Sequence, residues 1–373
     1  MKRVFFHVQH LLGIGHLKRA ATLCRALARS GFEVTLASGG ARLPGVVPPE
    51  VKLVQLPAMA AADASFKNLV DEAGKPIGEE WKRRRAARVL QAWRAARADV
   101  LIVELFPFGR RQLRFELLPL LEAAGDALVV CSVRDLLQSR PSREPEAVGL
   151  VEKYFDRVLV HGDPSVAPFD RSFAAAGRIA DRLAYTGYVV DRESPSSGSD
   201  PDAGKGEVLV SAGGGAVGRR LLETAIRARP LTRLRERTWR VLAGTNADFL
   251  DELRLLAKGG VAVERSRNDF TALLRNCELS ISQAGYNTVM ETLQARARAV
   301  VVPFSQGSET EQGLRARLFA ERNLLTFLAE GDLSAENLAA AVDRAALRPR
   351  PAAPGVDLDG ARRSAELIRQ WTA

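Results

Sequence analysis

Short apolar runs alternate with longer segments of helical periodicity along the chain. In the first half, the pattern predicts strands at 4–8, 33–37, 51–56, 100–105, 127–133 and 157–161, and helices at 15–30, 79–98, 113–124 and 144–155. After residue 206 it predicts strands at 207–211, 239–243, 261–264, 279–282 and 299–303, and helices at 217–228, 247–257, 268–275, 286–295, 309–321, 334–346 and 358–371. Such alternation is typical of parallel sheets built from βαβ units. We therefore predict two doubly wound α/β domains.

A polar segment at 191–206 separates the two halves. Almost every residue in it is Ser, Gly, Pro or charged, which is the composition of an exposed linker. We predict an N-terminal domain over 1–190, this linker, and a C-terminal domain over 207–347. A proline-rich break then precedes a last helix within 348–373. Because doubly wound sheets bind ligands at the carboxyl ends of their strands, function is expected in the strand-to-helix loops.

The composition narrows the class of protein. No apolar run reaches the ~18 residues of a membrane-spanning helix. The three cysteines lie far apart within apolar runs, so we expect buried thiols, a reducing compartment and a cytoplasmic protein. The net charge of +10 comes mostly from arginines dispersed along the chain. Dispersed arginine indicates compositional bias rather than a nucleic-acid footprint, so a non-catalytic nucleic-acid-binding protein is only a minor alternative.

A loop with two glycines follows the first predicted strand and opens the first helix. Gly13 and Gly15 allow positive φ and close approach of a ligand, but their spacing matches neither a dinucleotide fingerprint nor a P-loop. His16 stands at the start of the helix, where the helix dipole disfavours a protonated imidazole. The sequence therefore predicts a neutral His16 that can act as a base; capping or packing is the alternative.

Two further loops precede helices in the second half. Gly213, Gly214 and Gly215 follow the first strand there, and successive N–H groups in such a run can bind phosphate, although plain turns contain similar runs. A later strand ends near Ser282, and a helix begins near Gly285. On that helix three polar residues share one face, namely Asn287, Thr288 and Glu291. Glu291 could accept hydrogen bonds from two ribose hydroxyls; a surface glutamate is the alternative.

A fourth loop follows the strand that ends at Pro303. It brings Glu311 and Gln312 to the first turn of the next helix, where adjacent carboxylate and amide groups suit hydrogen bonding to sugar hydroxyls. Capping of that helix is the alternative role for the acidic residues, and it fits Glu309 better than Glu311.

These loops together resemble the GT-B glycosyltransferases of the family-28-like group, which includes the lipid II-forming peptidoglycan N-acetylglucosaminyltransferase. The matching motifs are Gly13 to Arg19, the glycines at 213–215, Ser282 to Glu291, and Pro303 to Gln312. The stretches 161–164 and 185–189 are similar to a bacterial subgroup of predicted glycosyltransferases. The resemblance implies two Rossmann-like domains that face each other across a cleft, with the last helix crossing back to the first domain.

The resemblance also implies the roles of the motifs. Glu291 would hold the donor ribose, the loops at 213–215 and Gly285 would hold the diphosphate, and Glu311 with Gln312 would hold the donor sugar. His16 would lie near the reaction centre, in the loop that ends at Arg19. The family needs no metal and no cofactor, so Asp357 and Asp359, which spell D-x-D, are expected to cap the last helix instead.

The implied activity is transfer of a hexose or N-acetylhexosamine from a nucleotide diphosphate, UDP, to an acceptor hydroxyl. Arg134 and Asp135 are expected on the acceptor side. The form G-x-G-H-x-x-R of the first loop is also similar to UDP-sugar hydrolases of nonulosonic acid biosynthesis, so water is the alternative acceptor.

The predicted helix at 79–98 is rich in arginine and contains Trp81 and Trp93. Basic residues and tryptophan on one helix can dock on an anionic bilayer surface, which would suit a lipid-linked acceptor and peripheral association with the membrane. Arg83, Arg84 and Arg85 would make this contact. A solvated helix face is the alternative.

Overall fold

The computed structural model describes residues 1–11, 13–62, 68–192, 200–212, 218–244, 247–305 and 309–373. The chain divides into two compact units. One contains residues 1–189 together with 359–373, and the other contains residues 190–358. The described part of the linker expected at 191–206 thus belongs to the second unit.

The first unit is built on one parallel sheet. Its strands in chain order are β1 (Arg3–Val8), β2 (Glu33–Ser38), β3 (Lys52–Gln55), β4 (Met59–Ala61), β5 (Leu69–Asp71), β6 (Val100–Glu104), β7 (Leu128–Arg134), β8 (Arg157–His161) and β9 (Leu183–Tyr185). The sheet order is β3-β2-β1-β6-β7-β8-β9, and β4 with β5 forms a separate antiparallel hairpin. The order reverses between β1 and β6, which makes their carboxyl ends the topological switch point.

Helices cover both faces of this sheet. They are α1 (Gly15–Arg29), α2 (Glu79–Ala96), α3 (Arg114–Glu122) and α4 (Glu144–Tyr154), with short 3-10 helices at Arg111–Leu113, Pro141–Arg143, Phe169–Arg171 and Ala174–Arg182. Alternate residues of β1 enter two different cores: Phe5 enters one, and Val4 and Phe6 enter the other. A strand buried on both faces is apolar over most of its length, which is why these strands appear in the sequence as nearly continuous apolar runs.

The second unit repeats this plan. Its strands are β10 (Val208–Ser211), β11 (Trp239–Ala243), β12 (Val261–Arg265), β13 (Leu279–Ser282), β14 (Ala299–Val301) and β15 (Thr326–Phe327). They form a parallel sheet in the order β12-β11-β10-β13-β14-β15, so the switch point lies between β10 and β13.

The helices of the second unit follow its strands. They are α5 (Arg219–Ala228), α6 (Leu250–Leu256), α7 (Phe270–Asn276), α8 (Tyr286–Gln294), α9 (Glu311–Glu321) and α10 (Ala335–Ala346), with 3-10 helices at Arg229–Leu231 and Glu330–Asp332. Ser334 caps α10 by accepting a hydrogen bond from the N–H of Asn337 at 3.1 Å. After α10, Arg350 donates to the carbonyls of Cys277 at 3.2 Å and Ala295 at 3.3 Å, which attaches the proline-rich segment to the ends of α7 and α8.

The last helix, α11 (Gly360–Trp371), belongs to the first unit. Ala365 and Ile368 are buried in the same core as Leu17 of α1. The N–H of Gly360 donates to the carbonyl of Tyr188 at 3.0 Å. The terminal segment expected at 348–373 is therefore divided between the two units.

The elements predicted from long periodic or apolar segments are confirmed within a few residues. The sequence prediction missed the hairpin of β4 and β5 and the short strands β9 and β15. These strands have two or three residues each. So short a segment carries no hydrophobic period of its own, and pairing with a neighbouring strand decides its conformation.

The prediction that α2 presents Arg85 and Trp93 to a membrane is wrong. Arg85 is fully buried, and Trp93 is 6% exposed, with its indole N–H donating to the carbonyl of Ala123 at 3.0 Å. Both side chains belong to the interior, although Arg83 and Arg84 are exposed. Within the described ranges, no helix has the length and apolar character needed to span a membrane.

Substitution of Gly360 by alanine is expected to destabilise the protein by about 1–3 kcal/mol. A Cβ at this position would lie 2.4 Å from the carbonyl oxygen of Gly187 and 2.7 Å from the backbone of Tyr188, so α11 would have to move. Urea unfolding measures the effect. The matched control is Gly149→Ala in α4, where an added Cβ would meet none of the described atoms within 4 Å. The control should be neutral or stabilising by up to about 1 kcal/mol, and equal destabilisation by both variants would contradict the packing argument.

Candidate active site

His16 lies at the switch point of the first unit, in the first turn of α1. Its Nδ1 is 2.7 Å from Oε1 of Glu104, the last residue of β6. The Glu104 side chain is 1% exposed, and the His16 side chain is 16% exposed. An ionised carboxylate can only accept, so Nδ1 carries the hydrogen and Nε2 keeps its lone pair. The imidazole is thus oriented by a buried carboxylate and still reaches solvent.

Arg19 keeps Glu104 ionised. It lies one helical turn after His16, is buried, and donates from Nη2 to the same Oε1 of Glu104. Burial raises the pKa of Glu104, but His16, Arg19 and Arg110 outweigh burial and hold the pKa well below its usual range. The motif residue Arg19 therefore supports the carboxylate that positions His16.

Several charges set the pKa of His16. Burial lowers it; Glu104 raises it; Arg110 and Arg134 lower it further, and the result is a pKa of about 3. His16 is therefore neutral at physiological pH, and its Nε2 can accept a proton. An unprotonated ring nitrogen on an imidazole that a carboxylate orients is the geometry of a general base.

The two predicted acceptor-side residues differ in their environment. Arg134 ends β7, the strand next to β6, and is half-buried. Asp135 is fully buried, and a Cβ on Gly162 would lie 2.9 Å from its Cβ. The complete burial of Asp135 favours a structural role for this residue. The positive charge of Arg134 lowers the pKa of His16.

A second histidine in this unit is structural. His161 Nε2 is 2.8 Å from Ser132 Oγ, and its Nδ1 is 3.0 Å from Thr186 Oγ1. Burial and the charge of Arg19 lower the pKa of His161 to about 3. Both ring nitrogens therefore have partners, and the ring joins the ends of three strands.

In the second unit, Gly213, Gly214 and Gly215 lie outside the described residues. The described residues on either side of this loop are informative. Gly218 has φ +152°, and a Cβ there would lie 2.2 Å from the Cβ of Ala212, so only glycine fits this position. Ser211 and Ser282 are register partners at the switch point, both are buried, and neither hydroxyl has a hydrogen-bond partner among the described residues.

The face predicted on α8 is present. Gly285 is the N-cap residue of α8, with an ordinary φ of −63°, and described atoms leave open space where its Cβ would be. Asn287, Thr288 and Glu291 are half-buried along the following turns. The open space at Gly285 lets a ligand approach the start of the helix. The polar residues of α8 lie along the helix from this point towards Glu291.

The loop before α9 shows the capping role that the sequence analysis gave as the alternative for Glu309. Oε1 of Glu309 accepts from the N–H groups of Glu311 at 2.7 Å and Gln312 at 3.0 Å, so Glu309 caps the helix. Glu311 is 2% exposed and accepts from Nη2 of Arg315 at 2.7 Å. Gln312 is half-buried and accepts from the N–H of Phe304 at 3.2 Å. An internal ion pair thus engages the carboxylate expected to meet a sugar.

Arg315 connects this helix to the loop that precedes α8. It is fully buried, donates from Nη1 to the carbonyl of Ala284 at 3.1 Å, and lies 5.6 Å from the ring centroid of Tyr286. The two predicted donor-binding segments are therefore held together by one guanidinium.

A cavity of about 380 Å³ opens at the carboxyl ends of β10, β13 and β14 in the second unit. Its polar lining includes Arg219, Arg220, Gln283 and Glu330. These four residues were not among the predicted site residues. Arg219 and Arg220 could have been predicted from the sequence, because they lie shortly after the glycine loop at the start of a helix. Basic residues in that position suit the binding of an anion.

The D-x-D segment lies at the start of α11. Asp359 occupies the N-cap position, where its side chain accepts from Arg362 at 3.3 Å rather than from a helix N–H. Across the described ranges, no three His, Cys, Asp or Glu side chains are grouped closely enough to hold a metal ion.

Solved structures define the class of fold. Over 99% of its length the chain is similar to the glycotransferase of kitacinnamycin (TM-score 0.67, 17% identity, 98% of that chain). It is also similar to MurG of Acinetobacter baumannii (TM-score 0.63, 15% identity, 99% of this chain and all of that one). A third similar structure is MnaA of S. aureus with UDP (TM-score 0.64, 13% identity, all of this chain and 97% of that one). The protein has the GT-B fold.

The sequence of the second unit is similar to a known family of domains. Residues 209–358 match the glycosyltransferase family 28 C-terminal domain. The chain is also 30% identical over 172 residues to UDP-N-acetylglucosamine--N-acetylmuramyl-(pentapeptide) pyrophosphoryl-undecaprenol N-acetylglucosamine transferase of Geobacillus kaustophilus. That alignment covers 44% of this chain and 47% of the relative, about half of its length. The resemblance to the family-28-like group is confirmed.

Proposed function

We propose that this protein transfers a hexose or N-acetylhexosamine from UDP to the hydroxyl group of an acceptor. The observation that carries the proposal is the neutral His16 held by Glu104 at a switch point, in a chain whose residues 209–358 match the family 28 C-terminal domain. The name of the Geobacillus relative specifies a UDP-linked donor and a lipid-linked acceptor, which supports the same classes of substrate here. A lipid-linked acceptor would require the enzyme to work at the cytoplasmic surface of the membrane.

The donor is assigned to the second unit. Glu291 would accept from the ribose hydroxyls, and the glycine loop at 213–215 with Arg219 and Arg220 would bind the diphosphate. Gln312 would meet the donor sugar, with Glu311 next to it on the first turn of α9. Supporting observations are the half-buried polar face of α8 and the cavity at the strand ends.

The reaction is proposed as follows. Nε2 of His16 takes the proton of the acceptor hydroxyl as its oxygen forms a bond to the anomeric carbon of the donor sugar. The bond from that carbon to the diphosphate oxygen breaks, and UDP leaves with the electron pair. Glu104 stabilises the imidazolium that forms. Backbone N–H groups, helix N-termini and the guanidinium groups of Arg219 and Arg220 can meet the charge on UDP, so we propose that transfer needs no metal.

Substitution of Glu291 by alanine is expected to weaken UDP binding by about 1–3 kcal/mol, because the ribose hydroxyls lose a charged acceptor. Isothermal titration with UDP alone measures this effect without an acceptor. Glu336→Ala in α10, an exposed position, is the matched control and should bind UDP like the unsubstituted protein. Equal affinities for both variants would remove the ribose assignment.

A further inference from the structure

A second cavity, of about 410 Å³, opens in the first unit. Neither His16 nor Glu104 is among its lining residues. Its lining consists of three arginines, one carboxylate, one amide and a short apolar wall, namely Arg42, Arg84, Arg88, Glu72, Gln55, Leu56, Pro57 and Ala58. We call it the arginine cavity. Its volume lies within the range of about 300–1,000 Å³ that is typical of small-molecule sites.

The three arginines of the arginine cavity come from two different parts of the first unit. Arg42 lies in the loop that follows β2, whereas Arg84 and Arg88 lie one turn apart on α2, and all three are exposed. Like charges four residues apart on a helix repel each other. Within the described ranges, no ion pair joins any of the three to a carboxylate. The cavity therefore has a positive potential that attracts anions.

Side chains beneath the arginine cavity hold its wall in place. Nη1 of the buried Arg85 donates to the carbonyl of Pro57 at 2.5 Å and to the carbonyl of Gly39 at 2.9 Å. The amide nitrogen of Gln55 donates to three further backbone carbonyls of the same loops, at 2.8, 3.0 and 3.1 Å. The wall is thus formed before any ligand binds, which reduces the entropic cost of binding.

The loop that carries Arg42 also packs tightly against the interior. A Cβ on Gly39 would lie 2.1 Å from Nη2 of Arg85, and a Cβ on Gly40 would lie 2.3 Å from Cε1 of His10. Only glycine fits at two successive positions, because buried side chains lie directly against the backbone there. Arg42 follows two residues later, so it extends from a loop that the interior fixes.

The charges of the lining define the ligand chemistry. Three guanidinium groups and the carboxylate of Glu72 leave an excess of two positive charges. A phosphate monoester carries a charge of about −1.5 to −2 at pH 7 and complements this excess, whereas the phosphodiester of a membrane lipid carries a single charge. The planar guanidinium groups match pairs of phosphate oxygens. Glu72 can only accept hydrogen bonds when ionised, so it suits a hydroxyl group of the same ligand.

We propose that the arginine cavity is a ligand site, separate from the donor site, that binds a small soluble phosphate monoester with hydroxyl groups, such as a sugar phosphate. The proposal does not depend on the proposed function. None of the described residues that line the cavity is a large apolar residue with an exposed side chain. Docking on a bilayer inserts such side chains, so a soluble ligand fits this cavity better than a lipid surface does.

Isothermal titration of the full-length protein with glucose 6-phosphate tests this site. Inorganic phosphate and glucose are titrated separately, and each titration is performed with and without saturating UDP. We expect glucose 6-phosphate to saturate one site, to bind more tightly than inorganic phosphate, and to keep the same Kd when UDP is present. Glucose alone should not bind. Absence of UDP binding in the same samples would contradict the proposed function and leave this measurement intact.

Arg42→Gln and Arg84→Gln should each raise the Kd of glucose 6-phosphate at least about tenfold, because charge-assisted hydrogen bonds to the phosphate are lost. Both positions are exposed, so the fold should be retained. Glu72→Gln should weaken the binding of glucose 6-phosphate but not that of inorganic phosphate, which has no sugar hydroxyl for the carboxylate. Arg94→Gln is the matched control, because Arg94 is exposed on the same helix and does not line the cavity.

Three results would overturn the site. The first is a titration with glucose 6-phosphate that does not saturate. The second is an unchanged Kd in Arg42→Gln and Arg84→Gln, or an equal loss of affinity in Arg94→Gln. The third is sedimentation with phosphatidylglycerol vesicles that Arg84→Gln abolishes, in a protein that binds no soluble phosphate ester, because the arginines would then bind a lipid surface.

Discussion

Replacement of His16 by alanine is expected to lower the kcat of sugar transfer about 10²–10⁴-fold, the usual contribution of a positioned general base. The imidazole is the group with an available lone pair that Glu104 orients at 2.7 Å. The affinity for UDP should stay unchanged, because the residues assigned to UDP lie in the second unit and His16 lies in the first. Steady-state kinetics and titration with UDP measure the two quantities independently.

The pH dependence gives a sharper test of the same residue. A base works in its unprotonated form, so transfer is lost as the pH falls through its pKa. Burial and the charges of Arg110 and Arg134 lower the pKa of His16 to about 3, against the opposing charge of Glu104, while Arg19 holds Glu104 ionised. The kcat/KM should therefore stay level from pH 8 to about pH 5, where an ordinary histidine with a pKa near 6.5 would already be protonated. Arg110→Gln should move the acid limb to higher pH.

Glu104→Gln is the companion variant. It keeps the size of the side chain but removes the charge that holds the Nδ1–H and stabilises the imidazolium, so a smaller loss of kcat, about 10–100-fold, is expected. A fall of UDP affinity in parallel with kcat in His16→Ala would contradict the role of a base. Fast release of free sugar from the donor in water alone, lost in His16→Ala, would contradict transfer and favour the hydrolase alternative.

Substitution of Arg85 by alanine is expected to destabilise the protein by about 3–5 kcal/mol, because it leaves a buried carboxylate without its partner. Nε of Arg85 donates to Glu116 Oε2 at 2.5 Å, and both side chains are fully buried. The same guanidinium donates to the carbonyls of Gly39 at 2.9 Å and Pro57 at 2.5 Å and to Oε1 of Gln9 at 2.6 Å. One side chain thus attaches α2 to α3 and to the loops that follow three strands.

Urea unfolding at pH 7 measures this loss, and Arg84→Ala, the exposed neighbour, should change stability by no more than about 0.5 kcal/mol. Burial raises the pKa of Glu116, but Arg85 and His7 lower it more, to about 2. The folded-state pKa lies below the unfolded value, so the contribution of Glu116 is complete above about pH 4.5 and disappears as the pH falls towards 2. Arg85→Ala should flatten this part of the pH–stability curve. Similar stabilities of the two arginine variants would contradict the buried network.

The features predicted correctly are those that short stretches of sequence determine. A strand covered by helices on both faces is apolar over most of its length, so β1, β6 and β10 are visible as nearly continuous apolar runs. Loops that join a strand to a helix are visible as glycine and polar residues between two periodicities. His16 and the segment from Ser282 to Glu291 were chosen as site candidates in the same way, because they lie in loops that follow predicted strands, and their roles stay predictions.

The features that were missed depend on pairings between distant parts of the chain. Glu104 is 88 residues from His16, and only the pairing of β1 with β6 brings the two together. Arg85 has the same local sequence environment as Arg84, yet one is buried and the other is exposed, because α2 turns a single arginine towards Glu116 of α3.

The sequence by itself determined the doubly wound class of each half, the strand-to-helix loops in which to look for chemistry, and the resemblance to the family-28-like group. The tertiary structure decided which charges meet: Glu104 and Arg110 at His16, Arg85 at Glu116, and α11 on the first unit. The reason is physical. Hydrophobic periodicity is a property of neighbouring residues, whereas the pKa of a buried group depends on whatever charges the folded chain brings to within a few ångströms of it.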